Sequence, residues 1–147
     1  MNIRCRLKRH LSNLLLMLRV NMSKHETHLT RRFWESVGGT LVEEYPAVRK
    51  GSLNAQRLMD GVIILDAPNQ IVKASEVSLE GKDVIVIQTK ASRLGMYLMG
   101  QACFSKILIS DFKPKSIRTV AICTQGDSVL EPIAKANGIE VVIYKES

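Results

Sequence analysis

The chain has 147 residues, 46% of them apolar, a length and composition that suit one domain with a real core and exclude a wholly disordered chain. Its formal net charge of +7 is unevenly placed: residues 1–32 hold eight Lys/Arg (Arg4, Arg6, Lys8, Arg9, Arg19, Lys24, Arg31, Arg32) against one acid, Glu26, and residues 33–147 carry 13 basic and 13 acidic side chains. A basic arm on a neutral body suits a polyanion, and nucleic acid is the commonest one in a cell; a solvated extension without a partner is the alternative. Cys5, Cys103 and Cys123 lie far apart with no paired spacing, which argues against a zinc knuckle and a disulfide framework and fits a reduced, cytoplasmic setting.

At the N-terminus Arg4 to Arg9 precede the apolar run Leu14-Leu15-Leu16-Met17-Leu18, which Arg19 interrupts. That run is too short for a signal-peptide core or a membrane span, so neither export nor a membrane partner is expected. Leu7, Leu11, Leu14, Leu15 and Leu18 recur at helical spacing and predict a basic helical extension over residues 1–22, ahead of a single domain over residues 23–147. Met22 is an alternative start of translation. No internal repeat, low-complexity tract or linker divides the rest.

From Glu26 to Val37 the apolar Leu29, Phe33, Trp34 and Val37 predict a helix with one inward face, and Gly38-Gly39 ends it as a C-terminal cap would. Thr40 to Val48 reads as a strand broken by Pro46, followed by a loop carrying Arg49, Lys50 and Arg57. A second strand opens on Asp60 and runs to Leu65; a turn at Ala67-Pro68-Asn69 and an irregular connection lead to Gly81-Lys82. The strand Val84 to Thr89 is apolar on both faces and reads as central. Alternation puts Val84, Val86, Gln88 and Lys90 on one face and Ile85, Ile87 and Thr89 on the other.

Leu94 to Ile109 reads as a helix whose apolar surface takes in Leu94, Leu98 and Ala102, with Tyr97, Cys103 and Cys123 expected in the core. Thr119 to Thr124 is a buried strand. Ser128-Val129-Leu130-Glu131 has a capping-box pattern before a helix that stops at Asn137-Gly138, and Glu140 to Tyr144 closes the sheet. Strands separated by helices predict an α/β fold with a central mixed sheet flanked by helices, in the order α-β-β-β-α-β-α-β.

An acid on the second strand and Gln88-Thr89-Lys90 at the end of the third, after a leading helix, resemble the core of the restriction-endonuclease-like, or PD-(D/E)xK, nuclease superfamily over residues 24–124. The resemblance implies that Asp60 is a metal-binding aspartate and Lys90 the catalytic lysine. Gln88 stands where the family most often has Glu or Asp, and the Thr89 main-chain carbonyl would supply another ligand oxygen. Glu26 matches the acid that several branches, notably Holliday-junction resolvases, carry on the first helix; Glu35 shares that helix. Gln101 resembles a helix glutamine of exonuclease-like branches, although Ser105 stands where those have tyrosine.

The implied chemistry is hydrolysis of phosphodiesters in DNA by an endonuclease using Mg²⁺ or Mn²⁺. The ion would be held by Asp60, Gln88, Thr89 and Glu26, with Lys90 beside the attacking water and the scissile phosphate. Arg49, Lys50, Arg57, Arg31 and Arg32 are the candidate grips on the nucleic acid, and a homodimer would suit cleavage of two strands. Glutamine at position 88 also leaves open a catalytically inactive nucleic-acid-binding or assembly subunit on the same fold. A nucleotide-binding domain ranks below both, because no glycine-rich phosphate loop is present. His25 and His28 are three apart, one short of the zinc-protease spacing.

Overall fold

The computed structural model describes the backbone of residues 3–146 and the side chains of residues 12–18 and 24–146. The arm side chains Arg4, Arg6, Lys8, Arg9 and Arg19, together with Leu7 and Leu11, therefore lie outside the described side chains. Helix α1 runs unbroken over Ile3–Val37, about 50 Å at 1.5 Å per residue, so the extension and the domain's first helix are one element. Leu14 to Leu18 on it are all more than half exposed.

Among the described residues of α1, those that meet the sheet lie in its C-terminal part. Leu29 and Phe33 bury against Leu41, Ile63, Ile85, Ile87, Val120 and Ile122, with Trp34 and Val37 packed alongside. The helix stops at two residues with left-handed backbone, Gly38 (φ 80) and Gly39 (φ 83). A Cβ on Gly39 would also stand 2.4 Å from the Ile64 carbonyl oxygen, so glycine is needed there twice over.

The sheet has six strands, β1 (Thr40–Val48), β2 (Arg57–Ile64), β3 (Gln70–Val72), β4 (Asp83–Thr89), β5 (Ser116–Cys123) and β6 (Ile139–Ile143), in spatial order β3-β1-β2-β4-β5-β6. β1 and β4 pair antiparallel with β2, whereas β3 on β1, β5 on β4 and β6 on β5 are parallel. Helix α2 (Met96–Ser110) and helix α3 (Leu130–Ala136) complete an α/β fold with a mixed sheet flanked by helices. The apolar faces separate as alternation requires. Val84 and Val86 join Val62, Ile64, Leu79 and Ile109 on one side, and Ile85 and Ile87 join the α1 cluster on the other.

Several sequence expectations need correction. β1 is not broken by Pro46; it continues to Val48 with a register shift between Pro46 and Val48, as a proline at a bulge allows. The connection after Asn69 contains the short strand β3 and a 3₁₀ turn at Ala74–Glu76, so the order gains a strand. Asp60 is the fourth residue of β2, not its opening. Asp127 rather than Ser128 caps α3: its Oδ1 accepts from the N–H groups of Val129 and Leu130, each at 3.0 Å. Cys123 is fully buried, but Cys103 is exposed and Tyr97 is 72% exposed, so neither of these belongs to the core.

Candidate functional site

The regular alternation of β2 fails at Asp60. Met59 packs with Val62 and Ile64 on the α2 side, whereas Gly61 faces the α1 side, where a Cβ would stand 2.9 Å from Thr30 Cγ2. Residues two apart should share a face, so the strand turns over between them. The β2–β4 ladder ends at Gly61↔Ile87, and beyond it Asp60 Oδ2 accepts the Thr89 N–H at 2.7 Å in place of a main-chain carbonyl. On the neighbouring strand Glu44, between the paired residues Glu43 and Tyr45, takes a left-handed φ of 48. A non-glycine residue held there is backbone strain of the kind that clusters at functional sites.

Gly61 is what lets α1 approach. Without a side chain at that position, Thr30 reaches the sheet, and its Oγ1 meets Thr89 Oγ1 at 2.8 Å while bonding the Glu26 carbonyl at 3.0 Å. One turn before Thr30, Glu26 stands over the end of β4, with Lys90 Nζ 3.7 Å from Glu26 Oε1. That oxygen is buried and accepts no hydrogen bond from the described residues. Glu26, Thr27, Thr30, Glu43, Glu44 and Asp60 line one cavity of about 280 Å³.

The electrostatics of the cavity show at Asp60. Burial pushes its carboxyl up to about 6; the Thr89 N–H opposes the shift, Glu26 adds to it, Lys90 opposes it and Glu44 adds to it. An acid poised there is ionised at neutral pH and readily takes a proton just below it. Two carboxylates, one with a buried oxygen lacking any hydrogen bond from the described residues, fit a hard cation that keeps several waters. Among the described residues no group of three His, Cys, Asp or Glu side chains is arranged to hold a metal, so water or main-chain oxygen must complete the shell. The N–H and C=O of a strand residue leave on the same edge, which turns the Thr89 carbonyl toward β2 with its N–H.

Of the residues singled out from the sequence, Asp60, Glu26, Lys90 and Thr89 come together and Gln88 does not. Gln88 is 3% exposed, and its Nε2 donates to Ser105 Oγ on α2 at 2.7 Å and to Met59 Sδ at 3.4 Å. Lys90 was expected on Gln88's face. Instead the chain leaves the strand after Thr89, with a Ser92 N–H to Lys90 carbonyl bond of 2.8 Å, and Lys90 swings to the α1 side. Thr30 and Gly61 were missed. The Asp-Gly pair on an apolar strand was their sequence signal, since glycine inside a strand marks close approach of another element.

The expected basic grips divide. Arg31 forms a two-point pair with Glu43, Nε to Oε1 at 2.6 Å and Nη2 to Oε2 at 2.9 Å, which raises its pKa through that hydrogen bond and charge. Arg32 lies over the Tyr144 ring at 4.2 Å. Arg49 and Lys50 are exposed in the loop after β1, and Arg57 lines a groove under α2. His25 pairs with Glu146 rather than with His28. Among the described residues no helix is long and apolar enough to cross a membrane.

Compared with known proteins, the chain matches no family model, no curated protein and no solved structure. Its fold class and site therefore rest on its own geometry.

Proposed function

We propose that the protein is a metal-dependent nuclease that hydrolyses phosphodiesters in DNA, a divergent relative of the PD-(D/E)xK superfamily. The observation that carries the reading is the meeting of Glu26 from α1 and Asp60 from β2 at one cavity at the end of the sheet, with Lys90, just past the end of β4, paired to Glu26. Asp60 and Glu26 would hold Mg²⁺ or Mn²⁺, which supplies polarisation of the phosphate and acidification of a bound water. Lys90 offsets the charge of Glu26 and lies ready to stabilise negative charge that builds on the phosphate. The Thr89 N–H fixes Asp60 Oδ2, leaving the other carboxylate oxygen for the ion.

The second reading is a nucleic-acid-binding or assembly subunit without catalysis. The position of Gln88 favours it, because that side chain is committed to Ser105 and Met59 and adds no oxygen to the acidic cavity. Nicking of supercoiled plasmid with Mg²⁺ or Mn²⁺ separates the two: cleavage that Lys90→Ala abolishes supports the nuclease. A wild-type chain that binds DNA but cuts it with neither ion supports the subunit.

A further inference from the structure

Behind the acidic cavity, on the opposite face of the same sheet end, lies a groove of about 720 Å³ between α2 and the start of β2. Its floor is polar and its hydrogen bonds can be followed atom by atom. The Ser105 hydroxyl donates to the Gln101 carbonyl at 2.6 Å, so its oxygen must accept from Gln88, which fixes Nε2 as the amide atom facing Ser105. Gln88 Oε1 is then left without a hydrogen-bond partner among the described residues, on a side chain 3% exposed that lines the groove. That oxygen is not sealed off but opens onto the groove, where water or a bound molecule can donate to it.

The wall above this acceptor is aromatic. Tyr97 and Phe104 are 72% and 65% exposed, and seven residues of helix set them on one face about 10.5 Å apart along the axis. Gly100 lies between them, and a Cβ built there would meet nothing within 4 Å, so the space between the rings is open. Arg57 stands at the rim, a cation placed for a phosphate. A flat group with π faces, an edge carrying N–H donors and an attached phosphate meets all three features together.

We infer that this groove holds unpaired nucleobases of a single strand, stacked on Tyr97 and on Phe104, with the edge of one donating to Gln88 Oε1 and a phosphate near Arg57. In a duplex both base faces are covered, so the groove selects single-stranded or splayed nucleic acid. Met59 and Gln88 at the groove floor are chain neighbours of Asp60 and of Thr89-Lys90, so a base held here lies back to back with the acidic cavity. The inference deepens the nuclease reading by naming its substrate as single-stranded. Base binding itself does not need the catalytic step.

Binding is therefore measured without metal. The full chain in EDTA is titrated into fluorescein-labelled oligodeoxynucleotides about ten nucleotides long, single-stranded, duplex or abasic, and followed by anisotropy. The wild type is expected to prefer the single strand. Tyr97→Ala and Phe104→Ala should each weaken single-strand binding about tenfold while leaving duplex binding and melting temperature unchanged. Abasic strands should bind the wild type as weakly as intact single strands bind a variant carrying both Tyr97→Ala and Phe104→Ala. Unchanged single-strand affinity in both variants, or an equal loss on duplex and single strand, overturns the inference. So does a change in sedimentation without a change in oligonucleotide affinity, which would make the face a contact between copies of the chain. Single-strand preference in a protein that cuts nothing with Mg²⁺ would refute the nuclease reading and leave this one standing.

Discussion

The two faces of the sheet end make an instructive pair. On the α1 side, Glu26, Asp60 and Lys90 meet with Glu43 and Glu44 nearby, a small charged cavity pinned by Thr30 and Thr89. On the α2 side, Gln88 and Ser105 form a neutral floor under exposed aromatic rings. Met59 and Asp60, or Gln88 and Lys90, are near neighbours in the chain yet serve different faces. The physical cause is local: the Asp60 side chain takes the Thr89 N–H where the ladder ends, and the backbone turns over on either side of that bond.

The sharpest test removes the cation of the charged face. Lys90→Ala should lower Mg²⁺-dependent plasmid nicking by about 100- to 1,000-fold, the loss typical of deleting one charge-stabilising donor. Its melting temperature should barely move, because the Lys90–Glu26 pair is partly exposed. DNA binding on the α2 face should survive. Loss of both activities together would erase the distinction between the faces.

Asp60→Asn should abolish cleavage and weaken Mg²⁺ by at least the roughly tenfold typical of groups one shell beyond a metal's ligands. It should also change stability with a definite sign. The folded carboxyl titrates near 6 against an ordinary value of 3.8, so the folded state holds its proton more tightly. Asp60 therefore favours folding below about pH 4, and that contribution is lost as pH rises to about 6. At pH 8 Asp60→Asn should melt higher than wild type, by up to about 3 kcal/mol in stability, and the gain should vanish by about pH 4. Calorimetric melts across that range check it, and a pH-independent difference would mean that Asp60 is not desolvated.

Gln88→Glu tests the comparison from the neutral side. The new carboxylate would face Ser105 Oγ, whose proton is already given to the Gln101 carbonyl, at a buried position. A loss of about 1–3 kcal/mol in stability is expected, with the Mg²⁺ concentration for half-maximal cleavage unchanged. Tighter Mg²⁺ binding in a metal titration would instead bring position 88 into the charged cavity. The smallest effect concerns neither face. A chain starting at Met22 should keep the fold and lose affinity equally for single-stranded and duplex DNA, with a shallower dependence on salt, because Arg4, Arg6, Lys8, Arg9 and Arg19 no longer displace counterions. An unchanged salt slope would show that the arm does not touch phosphates.

Much of this was legible in the residues. Two-faced apolarity marked β4 as central, glycine pairs and Asn137-Gly138 marked helix ends, and an acid with a strand-end lysine pointed to the candidate site. β3 was missed because three residues carry too little pattern to separate a strand from a loop. Tyr97 and Cys103 were misplaced because α2 is apolar nearly all round, so spacing alone does not say which side meets the sheet.

What the sequence by itself determined is the set of elements and the chemistry available at their ends, because propensity, alternation and capping act over a few residues. What only the tertiary structure decided is the division of that chemistry between two faces. Alternation assigned Gln88 and Lys90 to one side, but it holds only while the ladder continues. At Asp60 a side chain replaces the main-chain acceptor, at Thr89 the strand ends, and at Gly61 a missing side chain admits α1. Each of these depends on a partner 29 or more positions away in the chain, beyond the reach of any local pattern.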